Sequence, residues 1–201
     1  MRTASGRIAL FLVVSLAGAS RQAPAQWVLA AEISAARFWG ASAESGGSGR
    51  SFRPYRPTLV GLGLERQARR FGWGVRLLYA GASLALEGDD AVSAVKGALN
   101  LYEVAPEVSI GLKQLSSGPQ FRLCAGPLVE IWELGTETSH VRVGAHAGIG
   151  LQLPLGGRVS AGVGANLAVT PSPFNDGDLV AGYEPRTLWR RGVTASLRYR
   201  L

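Results

Sequence analysis

Few side chains in this sequence could carry chemistry, and their spacing restricts what it could be. Cys124 is the single cysteine and cannot close an intramolecular disulfide, and His140 and His146 are too few for a typical zinc site. Ser139-His140 sets a nucleophile type beside a base type, a pairing that catalyses acyl transfer when an acid orients the imidazole. Glu103 and Glu107 would share one strand face about 13–14 Å apart, at a rise of about 3.4 Å per residue, too far for a glycosidase pair. The tracts Gly88-Asp89-Asp90 and Asn175-Asp176-Gly177-Asp178 offer oxygen ligands of the calcium type, in segments that suit plain turns equally well. No cofactor and no dedicated metal site is expected from this inventory.

The remaining charges follow a rhythm. Glu65, Arg76, Glu103, Glu107, Lys113, Arg122, Glu130, Arg142 and His146 all fall on the polar parity of alternating segments. With Glu32, Arg198 and Arg200, that parity collects five acids against six bases. A selective pore would show one sign in excess, whereas near balance suits pairing across an enclosed interior, since a buried unpaired charge is costly. These nine residues are the expected polar network.

The elements that must position them are strands. From Val141 to Leu153 and from Arg158 to Val169 the odd positions are apolar, and the even ones are mostly Gly, polar or charged. That is the period of a strand with one greasy face. Pro154, Gly156 and Gly157 supply the turn. Each arm is near the roughly 9–11 residues that a tilted strand needs to cross a bilayer. The unit recurs at 58–66, 71–84, 102–113, 121–132 and 189–201, with a looser first strand at 27–39. Pro106 and Pro127 interrupt two of these segments, where bulges are expected. Gly40–Ser51, Glu87–Asn100, Leu134–His140 and Thr170–Pro185 read as the longer connections, and Ala91–Leu99 as one or two helical turns within the second of them. The other connections are short. Eight strands with alternating short and long connections predict an all-β, eight-stranded antiparallel up-and-down transmembrane β-barrel over residues 26–201.

Residues 1–25 read as a signal peptide: Arg2 and Arg7, an apolar run from Ile8 to Leu16, and Ala23-Pro24-Ala25 as a cleavage site. Removing them takes away Arg2, Arg7 and Arg21 and no acid, so the net charge falls from +7 to +4. The basic excess is therefore partly a sorting feature, and no nucleic-acid partner is expected. Only 17% of residues are charged, and Lys96 and Lys113 are the sole lysines. So small and weakly charged a polar face suits a narrow lumen better than a water-facing surface.

A soluble lipocalin-like barrel would show the same alternation with its faces exchanged. Aromatics near the strand ends favour the membrane form. Trp27, Trp73, Phe121 and Tyr199, with Phe71, would ring the periplasmic side. Trp39, Tyr55, Tyr102 and Trp189, with Trp132, would ring the outer side. On that form Val60, Leu62, Val75, Leu77, Val108, Ile110, Val129, Val143, Ile149, Val163, Leu167, Val193 and Leu197 face lipid.

The chain thus resembles the small eight-stranded outer-membrane barrels of the OmpX and OmpA-barrel type, most specifically in Val193-Thr-Ala-Ser-Leu-Arg-Tyr-Arg-Leu201. Members end in an alternating strand closed by an aromatic residue, and here Leu201 is last, with Tyr199 two before it. The resemblance implies the bacterial outer membrane, contact with its lipid and lipopolysaccharide, and recognition of the last strand by the barrel-assembly machinery. A monomer is expected, and with the sequence stopping at the barrel no OmpA-like peptidoglycan-binding domain is expected. Lipid A deacylases of this membrane carry a His-x-Ser pattern that neither histidine presents. The expected role is non-enzymatic, structural or in surface interaction through the outer loops. A small-solute pore is the alternative, ahead of a lipid A-modifying enzyme.

Overall fold

The computed structural model describes residues 25–45, 51–87, 92–112, 118–135 and 138–201. The expected signal segment, except Ala25, lies outside the described residues, as do Gly88-Asp89-Asp90 and Lys113. The chain forms β1 (Gln26–Glu44), β2 (Ser51–Tyr55), β3 (Thr58–Ala68), β4 (Phe71–Glu87), β5 (Val92–Gly111), β6 (Gln120–Leu134), β7 (Thr138–Gly156), β8 (Val159–Thr170) and β9 (Tyr183–Arg200). A 3-10 turn at Asp176–Asp178 is the only helical element among the described residues.

Every pairing is antiparallel: β1 pairs with β3, and from β3 on each strand pairs with the next in sequence until β9 returns to β1 through Val28↔Arg200 and onward to Glu44↔Tyr183. β2 and β3 are one stave broken at Arg56-Pro57, where Arg56 takes φ +36°. Both parts pair with β4, so nine segments make eight staves and a closed ring. Closure pairs the lower part of every stave on both sides. Above the break the β1–β3 ladder stops at Ala35↔Thr58. Side chains then stitch β1 to β2: Arg53 Nη1 donates to the Phe38 carbonyl at 2.9 Å, and the Phe52 N–H donates to Ser42 Oγ at 2.8 Å.

The alternation dictates the faces. Of the residues expected to face lipid, Val75 and Val129 are half-buried and the others lie exposed on the outside, Val193 at 67% and Leu62 at 57%. The charged parity points inward. The lipocalin-like alternative would require the reverse, with the apolar face packed inside. Trp27 meets Trp73 edge to face at 5.9 Å, while Trp39 stacks on Trp189 at 6.1 Å and 11°. Tyr102 and Phe121 are exposed, as are Phe71 and Tyr199, and Tyr102 lies 5.2 Å from Tyr79. Tyr55 is half-buried on the short β2 segment, beneath the guanidinium of Arg56. Trp132 departs from the expected outer ring. It is fully buried inside the barrel, as its even parity on β6 requires.

Several strands run further outward than the sequence reading placed them. β1 continues to Glu44 through a bulge between Trp39 and Ala41, and β2 begins at Ser51 inside the expected loop. β5 starts at Val92, replacing the expected helical turns; β6 and β7 close around Gly135; and β9 begins at Tyr183. Most of these segments have a ladder partner on one side, β9 for the top of β1, β4 for β2 and the start of β5, and β1 for the start of β9, and local sequence cannot reveal such partners. The 20 residues of β5, at about 3.4 Å each and tilted about 40°, rise about 50 Å. A bilayer's hydrocarbon core takes about 30 Å, so the wall extends well beyond it.

The expected bulges at Pro106 and Pro127 are absent. Val104↔Val129 and Val108↔Ala125 keep one register, which sets the two prolines opposite each other. Each lacks an N–H, so the ladder skips a matched position and no residue is inserted. Further bulges fall between Ala82 and Leu84 and between Pro154 and Gly156. At the latter turn Gly156 and Gly157 take φ of +130° and +53°, a conformation that L side chains disfavour.

Candidate functional site

The interior is the candidate site, and it is layered along the barrel axis. Nearest the end that carries the chain termini, the Glu65 carboxylate of β3 is held by Arg122 of β6 and Arg198 of β9, and accepts from Ser109 Oγ of β5 at 2.8 Å. Gly72 lies beside it, and a Cβ there would overlap the Glu65 carboxylate, so the glycine makes room for the cluster.

The middle layer centres on Arg76 of β4. Its Nε lies 3.0 Å from Glu107 Oε2, its Nη1 3.5 Å from Glu32 Oε1, and its Nη2 3.2 Å from His146 Nδ1. The outer polar layer centres on Arg190 of β9, which reaches Glu103 at 2.5 Å and Glu130 at 3.4 Å. Glu130 Oε2 also accepts from Trp132 Nε1 at 2.9 Å and Thr170 Oγ1 at 3.0 Å. Glu103, Glu130 and Arg190 are all deeply buried, so the triad depends on its own pairing.

Above Arg190 the lumen turns apolar. Phe38, Leu99, Leu101, Trp132 and Leu188 fill it, with Phe38 edge-on to Trp132 at 5.7 Å. The loop after β8 folds back into the mouth and seats Phe174 on this cluster. Ser172 Oγ ties the loop to the Ala41 carbonyl at 2.7 Å, and Arg142 binds the Ser172 carbonyl and Asn175 Oδ1. The loop's turn is closed by Asp178, whose Oδ2 accepts from the Asn175 N–H at 2.7 Å and lies 2.7 Å from His140 Nε2.

Between the two inner polar layers is a cavity of about 120 Å³ lined by residues that include Arg76, Arg122, Cys124, Gln152, Asn166 and Arg198. Toward the Arg190 layer only about 10 Å³ remains, beside Ser34, His146 and Arg190. Arg122 Nη1, Arg198 Nε and Gln152 Oε1 make no protein hydrogen bond, so the larger cavity suits water.

The fold thus joins most of the sequence-selected residues. Glu65 and Arg122 meet in one layer, Arg76, Glu107 and His146 in the next, and Glu103 and Glu130 in the third. Arg142 differs from expectation: it stands opposite Glu130 on the β6–β7 ladder, yet its guanidinium turns up to the loop and pairs with no acid among the described residues. Glu130, its ladder neighbour, is held by Arg190 instead. Arg190 was missed, although it shares the inward parity of Thr194 and Arg198. Phe174 carried no signal, because it lies in a loop with no period.

The chemistry candidates come apart. Ser139 and His140 are successive strand residues, so their side chains leave opposite faces of the wall. Glu103 and Glu107 each belong to a different arginine. Asp178 is engaged by His140 and its own turn, and no metal-ligating group of three or more His, Cys, Asp or Glu occurs among the described residues.

On the outside, Arg37 and Arg191 face each other directly across the β1–β9 ladder. Arg53 lies close enough that burial, with the charges of Arg37 and Arg56, holds its guanidinium below its ordinary pKa.

No protein-family model matches the sequence, and no curated protein matches it. Solved structures do. The chain is similar to the crystal structure of Neisserial surface protein A, with TM-score 0.59 and 11% identity over 87% of this chain and 97% of that one. It is also similar to the outer membrane protein OprG from Pseudomonas aeruginosa, with TM-score 0.55 and 10% identity over 88% and 96%. The fold is that of the small outer-membrane β-barrels.

Proposed function

We propose that this protein is an integral outer-membrane β-barrel, directed there by residues 1–25, whose lumen is closed and whose role is structural or in surface interaction through its outer rim. One observation carries the reading: an apolar plug of Phe38, Leu99, Leu101, Trp132 and Leu188, capped by Phe174, lies across the outer half of the lumen. Below it, three layers pair acids with arginines. A conducting path would need a hydrated route with weak, sequential ion sites, and the interior offers pairs instead. The exposed apolar belt supports lipid contact, since so large an apolar surface is unfavourable in water. The wall rising above the bilayer supports a role at the surface. The closed ring favours a monomer, and the alternating strand β9 is the segment for the assembly machinery to read.

A non-enzymatic role fits the separation of Ser139 from His140 on opposite faces. The alternative, a pore for small solutes, draws on the cavity near Cys124. Planar-bilayer recording of the refolded protein tests the choice. Negligible conductance is expected, and stable single-channel currents from the wild-type barrel would overturn the closed-lumen reading.

A further inference from the structure

We propose that Arg37 and Arg191, flanked by the stacked Trp39–Trp189 pair, form an exterior site for the phosphorylated sugar headgroup of an outer-leaflet glycolipid. The inference rests on the membrane reading above and names one ligand class for it. Arg37↔Arg191 and Trp39↔Trp189 are direct partners on the β1–β9 ladder. All four side chains lie exposed on the outside.

Like charges directly opposite on a sheet repel each other. Among the described residues neither arginine is in an ion pair. Arg191 instead lies 5.6 Å from the Trp39 ring centroid. From β2, Arg53 adds a third guanidinium, anchored to the Phe38 carbonyl and close to Arg37 and Arg56. Three adjacent staves thus converge positive charge on one patch.

Its height selects the ligand. Below the pair, the outward residues of β1 run Ala35, Ile33, Ala31, Leu29 and Trp27, and those of β9 run Val193, Ala195, Leu197 and Tyr199. The β1 stretch, Trp27 to Ala35, matches the roughly 9–11 residues of one crossing, and the β9 stretch runs beside it. The arginines therefore stand at the upper border of the apolar belt, with the tryptophans just above, where aromatic rings sit at headgroup level. A phosphate there would bridge the two guanidiniums, whose forked donors suit it, and would replace their repulsion by charge-assisted hydrogen bonds. The acyl chains of the same lipid would lie along Val193 and Ile33, and its sugar face against the indoles.

The test uses the full-length barrel refolded into nanodiscs and exchanged with bisphosphorylated lipid A, its dephosphorylated form, or inorganic phosphate, with bound lipid counted by native mass spectrometry. The wild type is expected to retain bisphosphorylated lipid A at least about tenfold better than the R37Q/R191Q variant, as for loss of charge-assisted contacts. Dephosphorylated lipid should not discriminate between them. R66Q, at the opposite end of the barrel, should behave as wild type. The variant should fold at least as well as wild type in lipid without phosphate, because it removes a repulsion. Equal retention by wild type and variant would overturn the site. Equal competition by millimolar inorganic phosphate would overturn the lipid assignment. Failure to insert into any bilayer would instead overturn the membrane reading itself.

Discussion

Replacing Arg190 by Met is the sharpest probe of the interior. The change removes the one cation between Glu103 and Glu130, which are each 1% exposed. Glu130 keeps the donors of Trp132 and Thr170, but Glu103 keeps no side-chain partner among the described residues. Breaking a buried ion pair by deleting one member costs about 3–5 kcal/mol, because the remaining charge is left uncompensated. Two carboxylates share this cation, so the upper part of that range is expected. Arg198→Met gives the contrast: Glu65 would still hold Arg122 and Ser109, and a loss nearer about 1.5–3 kcal/mol is expected, the value of a charged hydrogen bond. The assay is urea unfolding of the barrel in phosphatidylcholine vesicles, followed by tryptophan fluorescence and by gel mobility of unheated samples. Trp132, bonded to Glu130, reports locally. Adding Glu103→Gln and Glu130→Gln to Arg190→Met should recover most of the loss, because the uncompensated charges go with their partner. If Arg190→Met stays within the about 0.5 kcal/mol typical of surface substitutions, the triad does not hold the lumen together and the reasoning fails.

Phe174→Ala should cost less than the about 3–5 kcal/mol of a core Phe truncation, since the loop can lift away. Hydrogen exchange should quicken over residues 171–182 while the strands keep their protection. Gly126→Ala should destabilise by about 1–3 kcal/mol in the same urea assay, because its Cβ would overlap the Pro106 carbonyl oxygen, a backbone atom. Arg142→Met should cost about 1 kcal/mol by unfolding, as two hydrogen bonds of a partly exposed side chain are lost. Its planar-bilayer conductance should remain at the wild-type level.

The staves and their faces were legible in the sequence because a strand's side-chain period is fixed at two. Once Val193, Ala195 and Leu197 share a face, Thr194, Ser196 and Arg198 must take the other. Placement of Glu65, Arg76, Glu103, Glu107, Arg122 and Glu130 inside follows from the same parity. The partners of each do not. Glu65 lies 133 positions from Arg198, and their meeting depends on ring closure and stagger. Arg142 shows the limit: parity turns it inward and the ladder sets it opposite Glu130, yet a loop carbonyl competes for its guanidinium and Arg190 takes the acid. Phe174 and the outer ends of β1, β5 and β9 lay beyond local reading as well, because neighbouring staves and the plug stabilise them and no period marks them. Sequence alone determined which residues face inward and which face outward. Tertiary structure decided which inward charges pair and where the lumen closes, because both depend on side chains brought together across strands that are distant in the chain.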